Sequence, residues 1–185
     1  MENRGKFVNS RAVDAELRTR LESFLRPLYQ DLDGVSRFDE VDRVAAIARR
    51  IRPDSSRDFD LLLLFQGLGK WLNKVGNISR TALAVGGLDE NELKQVATSL
   101  RRLDAPESET ERALAAALLI DRSGVRGLAQ RFSAARREGH SILDVVREAL
   151  ADSFVPDWLP EKARPMLEER LDRRRDFCAA VLEEL

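Results

Sequence analysis

The sequence predicts an all-α fold, and three observations lead to that prediction. Apolar residues recur at intervals of three and four along most of the chain, the spacing that places side chains on one face of a helix. Two segments carry a capping pattern in which Asp or Ser is followed three residues later by Glu. No segment shows a convincing strand pattern. We therefore expect a compact helical bundle of about nine helices.

The first three predicted helices differ in how much of their surface is apolar. An amphipathic helix is expected at about residues 10–33. Its apolar stripe consists of Val13, Leu17, Leu21, Phe24, Leu25 and Leu28. A second helix is expected over residues 40–51, before the helix-breaking Pro53. A third, over residues 58–72, contains the apolar run 61–65 and is expected to be buried on most sides.

Glycines and capping residues delimit the remaining helices. A short helix over residues 78–85 is expected to end at the glycine pair 86–87. Two further helices are expected to begin at Asp89 and Ser108, each the first residue of a capping box. The last three helices are expected over residues 123–136, 141–150 and 165–185.

Length and composition limit the classes of protein that the chain can belong to. The 185 residues suit a single domain over residues 1–185, and the connectors are too short to suggest a boundary. Lys and Arg (31) nearly cancel Asp and Glu (32), so nucleic acid is not an expected partner. The longest apolar run is too short for a bilayer, so no membrane association is expected. The single Cys178 is expected to be buried, and the chain to be cytoplasmic.

Two segments, 40–48 and 61–70, resemble the first two motif helices of the HD-domain metal-dependent phosphohydrolases. Segment 40–48 reads EVDRVAAIA and keeps an Arg-Val pair, while segment 61–70 reads LLLLFQGLGK and keeps a leucine run followed by Gly-Lys. Residues 106–132 resemble the part of that family that carries its last aspartate, and residues 167–185 resemble the terminal helix of a bacterial HD subgroup. The resemblance covers residues 37–185 and implies an HD-like helical fold.

Matched position by position, the resemblance places the family's metal ligands on residues of other types. The first histidine falls on Glu40, the His-Asp pair falls on Gln66 and Gly67, and the last aspartate falls within 115–118. A catalytic divalent metal needs several converging imidazole and carboxylate ligands. The only histidine, His140, is expected in a surface turn. The resemblance thus implies a degenerate member without catalytic residues, metal or cofactor, which acts as a binding, regulatory or scaffold domain.

Residues near the degenerate motifs are candidates for binding a ligand. They are Arg43, Lys70, Asp121, Arg122 and Arg126. Related phosphohydrolases hold phosphate with basic residues beside the metal, a role that suits guanidinium groups. The alternative is that these arginines pair with acidic neighbours such as Asp42 and Asp121 at the helix surface.

Two other functions stay open at this stage. One is a phosphohydrolase acting on a nucleotide or phosphate ester, with Glu40, Gln66 and Asp121 rearranged into a non-standard site. The other is a nucleotide-sensing domain that uses Arg43, Lys70 and Arg122. A protein partner, a nucleotide and a second copy of the chain are the partners considered.

Two further features have a structural interpretation. The basic run 170–176 is interrupted by aspartates and is expected to be a solvated helix face. Trp71 and Trp158 are expected to seal the core at helix ends.

Overall fold

The computed structural model describes residues 13–31, 38–68 and 87–184, and these residues form an all-α structure. The α-helices are α1 (Ala15–Asp31), α2 (Phe38–Ile51), α3 (Arg57–Phe65), α4 (Glu90–Arg101), α5 (Glu109–Ser123), α6 (Val125–Glu138), α7 (Ile142–Ala151) and α8 (Arg164–Glu183). A 3-10 helix, Glu161–Ala163, precedes α8. The all-α prediction is confirmed, and eight α-helices in these ranges fit an expectation of about nine. The helix predicted over residues 78–85 lies outside the described residues.

Both predicted capping boxes form. The side chain of Asp89 accepts the backbone N–H of Glu92, and the Glu92 carboxylate accepts the backbone N–H of Asp89. Ser108 and Glu111 make the same reciprocal pair at the start of α5. Each box satisfies two N–H groups that have no partner inside the helix, and so fixes where α4 and α5 begin.

The main core is built by α1 to α5 together with the 3-10 helix and the first half of α8. Helix α2 packs lengthwise against α5 in the largest of the helix contacts among the described residues. The apolar face of α1 packs on this core, with Leu21 and Leu25 fully buried. Helix α3 is buried on most sides as predicted, since every residue from 59 to 65 is buried.

A buried carboxylate joins three segments of the main core. Asp60 is only 6% exposed, yet it lies within the apolar helix α3. It accepts the backbone N–H of Val13 at 3.2 Å and the hydroxyl of Ser55 at 2.9 Å, and it pairs with Arg49 at 3.4 Å. Because buried carboxylates are costly without partners, these contacts fix the start of α1 against α2 and α3.

The C-terminal cluster is a second, smaller group of buried residues contributed by α6, α7 and α8. It consists of Leu128, Ala135, Val145, Val146, Ala149 and Cys178. Cys178 is buried, as predicted. The expectation of a solvated face over 170–176 is wrong at Arg174, which is 3% exposed. Its guanidinium donates to the backbone carbonyl and the carboxylate of Asp152 at the end of α7, so an acceptor at a helix terminus draws it inward.

Helix α3 ends earlier than the sequence predicted. It stops at Phe65 and is followed by a turn at residues 66 and 67, while residues 69–72 of the predicted helix lie outside the described residues. The backbone N–H of Leu68 donates to Phe65, three residues back, and that of Gly67 donates to the side chain of Tyr29. A hydroxyl from α1 therefore replaces a helical acceptor and terminates the helix.

Within the described ranges, no helix is long and apolar enough to cross a membrane.

Candidate functional site

The degenerate motif positions 40, 66 and 67 lie where the start of α2 meets the end of α3, and we call this place the α2–α3 junction. It contains Tyr29, Glu40, Val41, Gln66 and Gly67. Gln66 is the C-cap of α3, and its side-chain N–H donates to the Val41 carbonyl at 3.4 Å. The other side-chain atom of Gln66, Oε1, is buried and has no hydrogen-bond partner among the described residues. Gln66 thus contacts the residue next to Glu40 in the first turn of α2, and positions 40 and 66 of the expected ligand set lie near each other.

Tyr29 from α1 closes the junction. Its side chain is 2% exposed, and its hydroxyl donates to the Leu64 carbonyl at 2.9 Å. The same oxygen accepts the backbone N–H of Gly67 at 3.1 Å. One hydroxyl thereby satisfies an acceptor and a donor that the end of α3 leaves unpaired.

The Tyr29 ring occupies the space that a side chain at position 67 would need. A Cβ atom added to Gly67 would lie 2.6 Å from Cε1 of Tyr29, closer than such atoms approach in folded proteins. The ring therefore disfavours any side chain here, while the backbone does not, since the φ of Gly67 is not positive. The aspartate that the resemblance expects at this position has no room beside Tyr29.

The surroundings of Tyr29 keep its phenol neutral. Burial raises the pKa of Tyr29 above its ordinary value of 10.0, the hydrogen bond from Gly67 opposes that rise, and the charge of Glu40 adds to it. The ring packs edge-on against Phe38, with centroids 5.6 Å apart. The guanidinium of Arg26 lies 4.3 Å above the Phe38 ring centroid. These contacts place a second aromatic ring beside the buried phenol and a guanidinium group over that ring.

Arg43 and Asp121 join α2 to α5 close to the junction. The Arg43 Nε atom lies 3.2 Å from Asp121 Oδ1, and Nη2 lies 3.3 Å from Oδ2. The pair is partly buried, with side-chain exposures of 28% for Arg43 and 11% for Asp121. Of the two interpretations from the sequence, Arg43 adopts the pairing with an acidic neighbour. The pair uses the Nε–Nη2 edge of the guanidinium, one of the two edges with which an arginine can bind an anion at two points.

No hydrogen bond or ion pair joins Arg122 or Arg126, the other basic candidates in the described ranges, to the residues of the junction. Arg122 and Arg126 are exposed at the connection between α5 and α6. That connection is tight, because a Cβ atom on Gly127 would collide with the Arg122 carbonyl. Lys70 lies outside the described residues. His140 is exposed after α6, as expected.

The donors at the junction do not fit a divalent cation. Glu40 offers one carboxylate, Gln66 points its N–H at a carbonyl, and Gly67 has no side chain. Asp121 is engaged by Arg43. Across the described residues, no group of three His, Cys, Asp or Glu side chains is arranged to hold a metal ion. A hard cation binds six or more oxygens, so this donor set is too small.

Sequence reasoning did not identify Tyr29 as part of the site. The signal was present, because positions 17, 21, 25 and 29 repeat at intervals of four and so share one face of α1. A tyrosine at the end of an otherwise aliphatic stripe brings a hydroxyl into a buried position, where it needs polar partners. What the pattern does not contain is the identity of those partners.

Comparison with known proteins gives no relative. No protein-family model matches the chain, and no curated protein and no solved structure matches it. The function of the junction is therefore inferred from its own contacts together with the motif resemblance.

Proposed function

We propose that the chain is a non-catalytic HD-like domain that acts by binding, in a regulatory or scaffold role, and does not hydrolyse phosphate esters. The proposal combines the resemblance of residues 37–185 to HD-domain phosphohydrolases with the contacts of the α2–α3 junction.

The arrangement of helices supports the HD-like part of the proposal. The resemblance requires the start of α2, the end of α3 and the second half of α5 to lie near one another. Gln66 contacts the backbone of α2, and Arg43 of α2 contacts Asp121 of α5. Contacts of α2 with both α3 and α5 therefore bring together three segments that are far apart in sequence, as an HD-like fold would require.

The observation that carries the non-catalytic part is the position of Tyr29. Its ring fills the space beside Gly67, and its hydroxyl is used by α3. A metal-bound water needs an open coordination position and room for substrate. A buried aromatic side chain with both hydrogen bonds satisfied supplies neither.

The two alternatives receive less support from the contacts. A non-standard phosphohydrolase site needs Glu40, Gln66 and Asp121 to converge, but Asp121 is paired with Arg43 on the neighbouring helix. A nucleotide sensor at the junction needs Arg43 to bind phosphate, but two nitrogens of Arg43 already bind Asp121, which also neutralises its charge. We therefore keep binding of a partner or ligand elsewhere on the domain as the proposed function.

The test is metal retention with a parallel assay for hydrolysis. The full chain is incubated with Mn²⁺, Mg²⁺ or Zn²⁺, freed of excess ion and subjected to elemental analysis, beside a Glu40→Ala variant. We expect wild type and variant to retain equally little metal and to leave a phosphate-ester substrate intact. Stoichiometric retention that Glu40→Ala abolishes, accompanied by hydrolysis, would overturn the proposal.

A further inference from the structure

A groove of about 520 Å³ lies at the opposite end of α2 from the α2–α3 junction. It is bordered by the end of α2, the first turns of α5 and the segment 157–161 before α8. Its volume lies within the range of small-molecule sites in proteins. Since α2 is about 20 Å long at 1.5 Å per residue, the groove is separate from the junction.

Five charged side chains line the groove, and none of them makes an ion pair or a hydrogen bond with another described residue. They are Arg52, Glu109, Arg112, Asp157 and Glu161. By contrast, Arg43, Arg57 and Arg174 each pair with an acidic side chain. The groove thus concentrates unpaired charge of both signs around one concave surface.

Arg52 also has an N–H group that lacks a hydrogen-bond partner among the described residues. Its guanidinium lies over the Phe59 ring, 5.3 Å from the centroid, which fixes the group in place. One of its nitrogens, Nη1, is buried without a hydrogen-bond partner in the described structure. Arg52 as a whole is half-buried, but a buried N–H of a cation without a partner is costly, and an anionic group entering the groove would offset part of that cost by charge.

The net charge of the residues that line the groove indicates which class of ligand it can bind. Two guanidinium groups face three carboxylates, so the lining carries a net charge of about −1. A nucleotide, whose phosphate brings about two negative charges, would meet this lining with net repulsion. A molecule that carries one carboxylate and one ammonium group has a partner for each.

The remaining wall of the groove is apolar. Trp158 is half-buried and packs on the main core with one side, as the sequence predicted, while it lines the groove with another. Ile51 and Leu159 continue the same wall. An indole presents a large, rigid surface to an apolar or aromatic side chain of a ligand.

We propose that this groove binds a zwitterionic ligand of the α-amino acid type with an apolar side chain. Arg52 and Arg112 receive the carboxylate, the acidic residues 109, 157 and 161 receive the ammonium group, and Trp158 contacts the side chain. The inference does not depend on the HD-like relationship.

The experiment uses L-phenylalanine as the probe and the full chain labelled with ¹⁵N. The chain has two tryptophans, so its spectrum contains two indole N–H signals, and Trp158→Phe assigns the one that matters. We expect a saturable shift of the Trp158 signal at millimolar ligand. Phenethylamine and 3-phenylpropionate, which each lack one of the two charges, are expected to bind at least about tenfold more weakly.

Two variants separate the groove from the rest of the surface. Arg112→Gln removes an exposed cation of the groove and is expected to weaken binding about tenfold or more. Arg137→Gln removes an equally exposed arginine of α6 and is expected to leave binding unchanged. The absence of a saturable shift, a shift that Arg112→Gln leaves unaltered, or tighter binding of adenosine monophosphate than of L-phenylalanine would overturn the inference.

Discussion

The main core and the C-terminal cluster each contain a buried polar side chain that binds the end of a helix, and the two side chains differ in charge. In the main core, Tyr29 is neutral, and its hydroxyl has a donor partner and an acceptor partner. In the C-terminal cluster, Arg174 is charged, bonds to Asp152 and leaves its Nε atom without a partner. A hydroxyl is satisfied by two neighbours, whereas a guanidinium carries five N–H groups. The end of α3 in the main core is therefore satisfied by a neutral group, whereas the end of α7 in the C-terminal cluster is bound by a charged one.

The largest difference in stability between the main core and the C-terminal cluster is expected when one buried leucine in each is replaced by alanine. Leu114 in the main core and Leu128 in the C-terminal cluster are both fully buried. We expect Leu114→Ala to lower the free energy of unfolding by about 4 kcal/mol and Leu128→Ala by about 2 kcal/mol, because a small peripheral cluster collapses around a cavity more easily. Urea denaturation of both variants measures this. Equal losses would mean that the two regions are packed with the same rigidity.

A smaller effect is expected from neutralising one carboxylate in each region. Asp152→Asn leaves Arg174 buried without a counter-charge and is expected to cost about 2–3 kcal/mol. Asp121→Asn leaves Arg43, which reaches solvent, and is expected to cost about 1 kcal/mol or less. Asp152 is the more exposed of the two carboxylates, so the ranking is opposite to the one that their own burial suggests. Urea denaturation of both variants at pH 7 measures the two losses of stability. A larger loss for Asp121→Asn than for Asp152→Asn would contradict the claim that the C-terminal cluster depends on the charge of Asp152.

The next prediction concerns the space beside Tyr29. Gly67→Ala is expected to cost about 1–2 kcal/mol, because the new methyl group meets the Tyr29 ring. In a Tyr29→Leu background, the same substitution is expected to cost less than half as much, since the ring is gone. The comparison is a double-mutant cycle measured by thermal or urea unfolding. Equal costs in both backgrounds would show that the Tyr29 ring is not what disfavours a side chain at position 67.

The sequence predicted most of the fold because the signals for helices are local. The capping boxes at Asp89 and Ser108 involve residues three positions apart, and both formed as expected. The end of α3 was predicted wrongly because its terminating group, the Tyr29 hydroxyl, comes from a residue 38 positions before Gly67. Arg174 was misjudged for the same reason, since its acceptors lie 22 positions away.

The candidate site was only partly accessible from the sequence. The motif resemblance identified Glu40, Gln66 and Gly67 as positions of interest, and the structure places 40 and 66 at one junction. It left Arg43 two interpretations, of which pairing with an acidic neighbour was favoured, and the contact with Asp121 is of that kind. The groove beside Trp158 was not predicted at all, because it is formed by three segments whose unpaired charges look like ordinary surface residues in the sequence.

The central claim is that Tyr29 closes the α2–α3 junction as a buried, neutral phenol, and its ionisation tests this most directly. Tyr29 is the only tyrosine in the chain, so the ultraviolet absorbance of tyrosinate reports on it alone. Because its pKa in the folded state is raised, the neutral phenol contributes stability below the ordinary value of 10.0, and that contribution is lost as the pH rises above it.

The measurement is a titration from pH 8 upward with tyrosinate absorbance and far-ultraviolet circular dichroism recorded together, and with the urea-unfolded chain as control. We expect the control to titrate near a pH of about 10. The folded protein is expected to show no tyrosinate there and to ionise only as its helices are lost. Reversible ionisation near the ordinary value, with the helical signal unchanged, would mean that the junction is open and would contradict the claim.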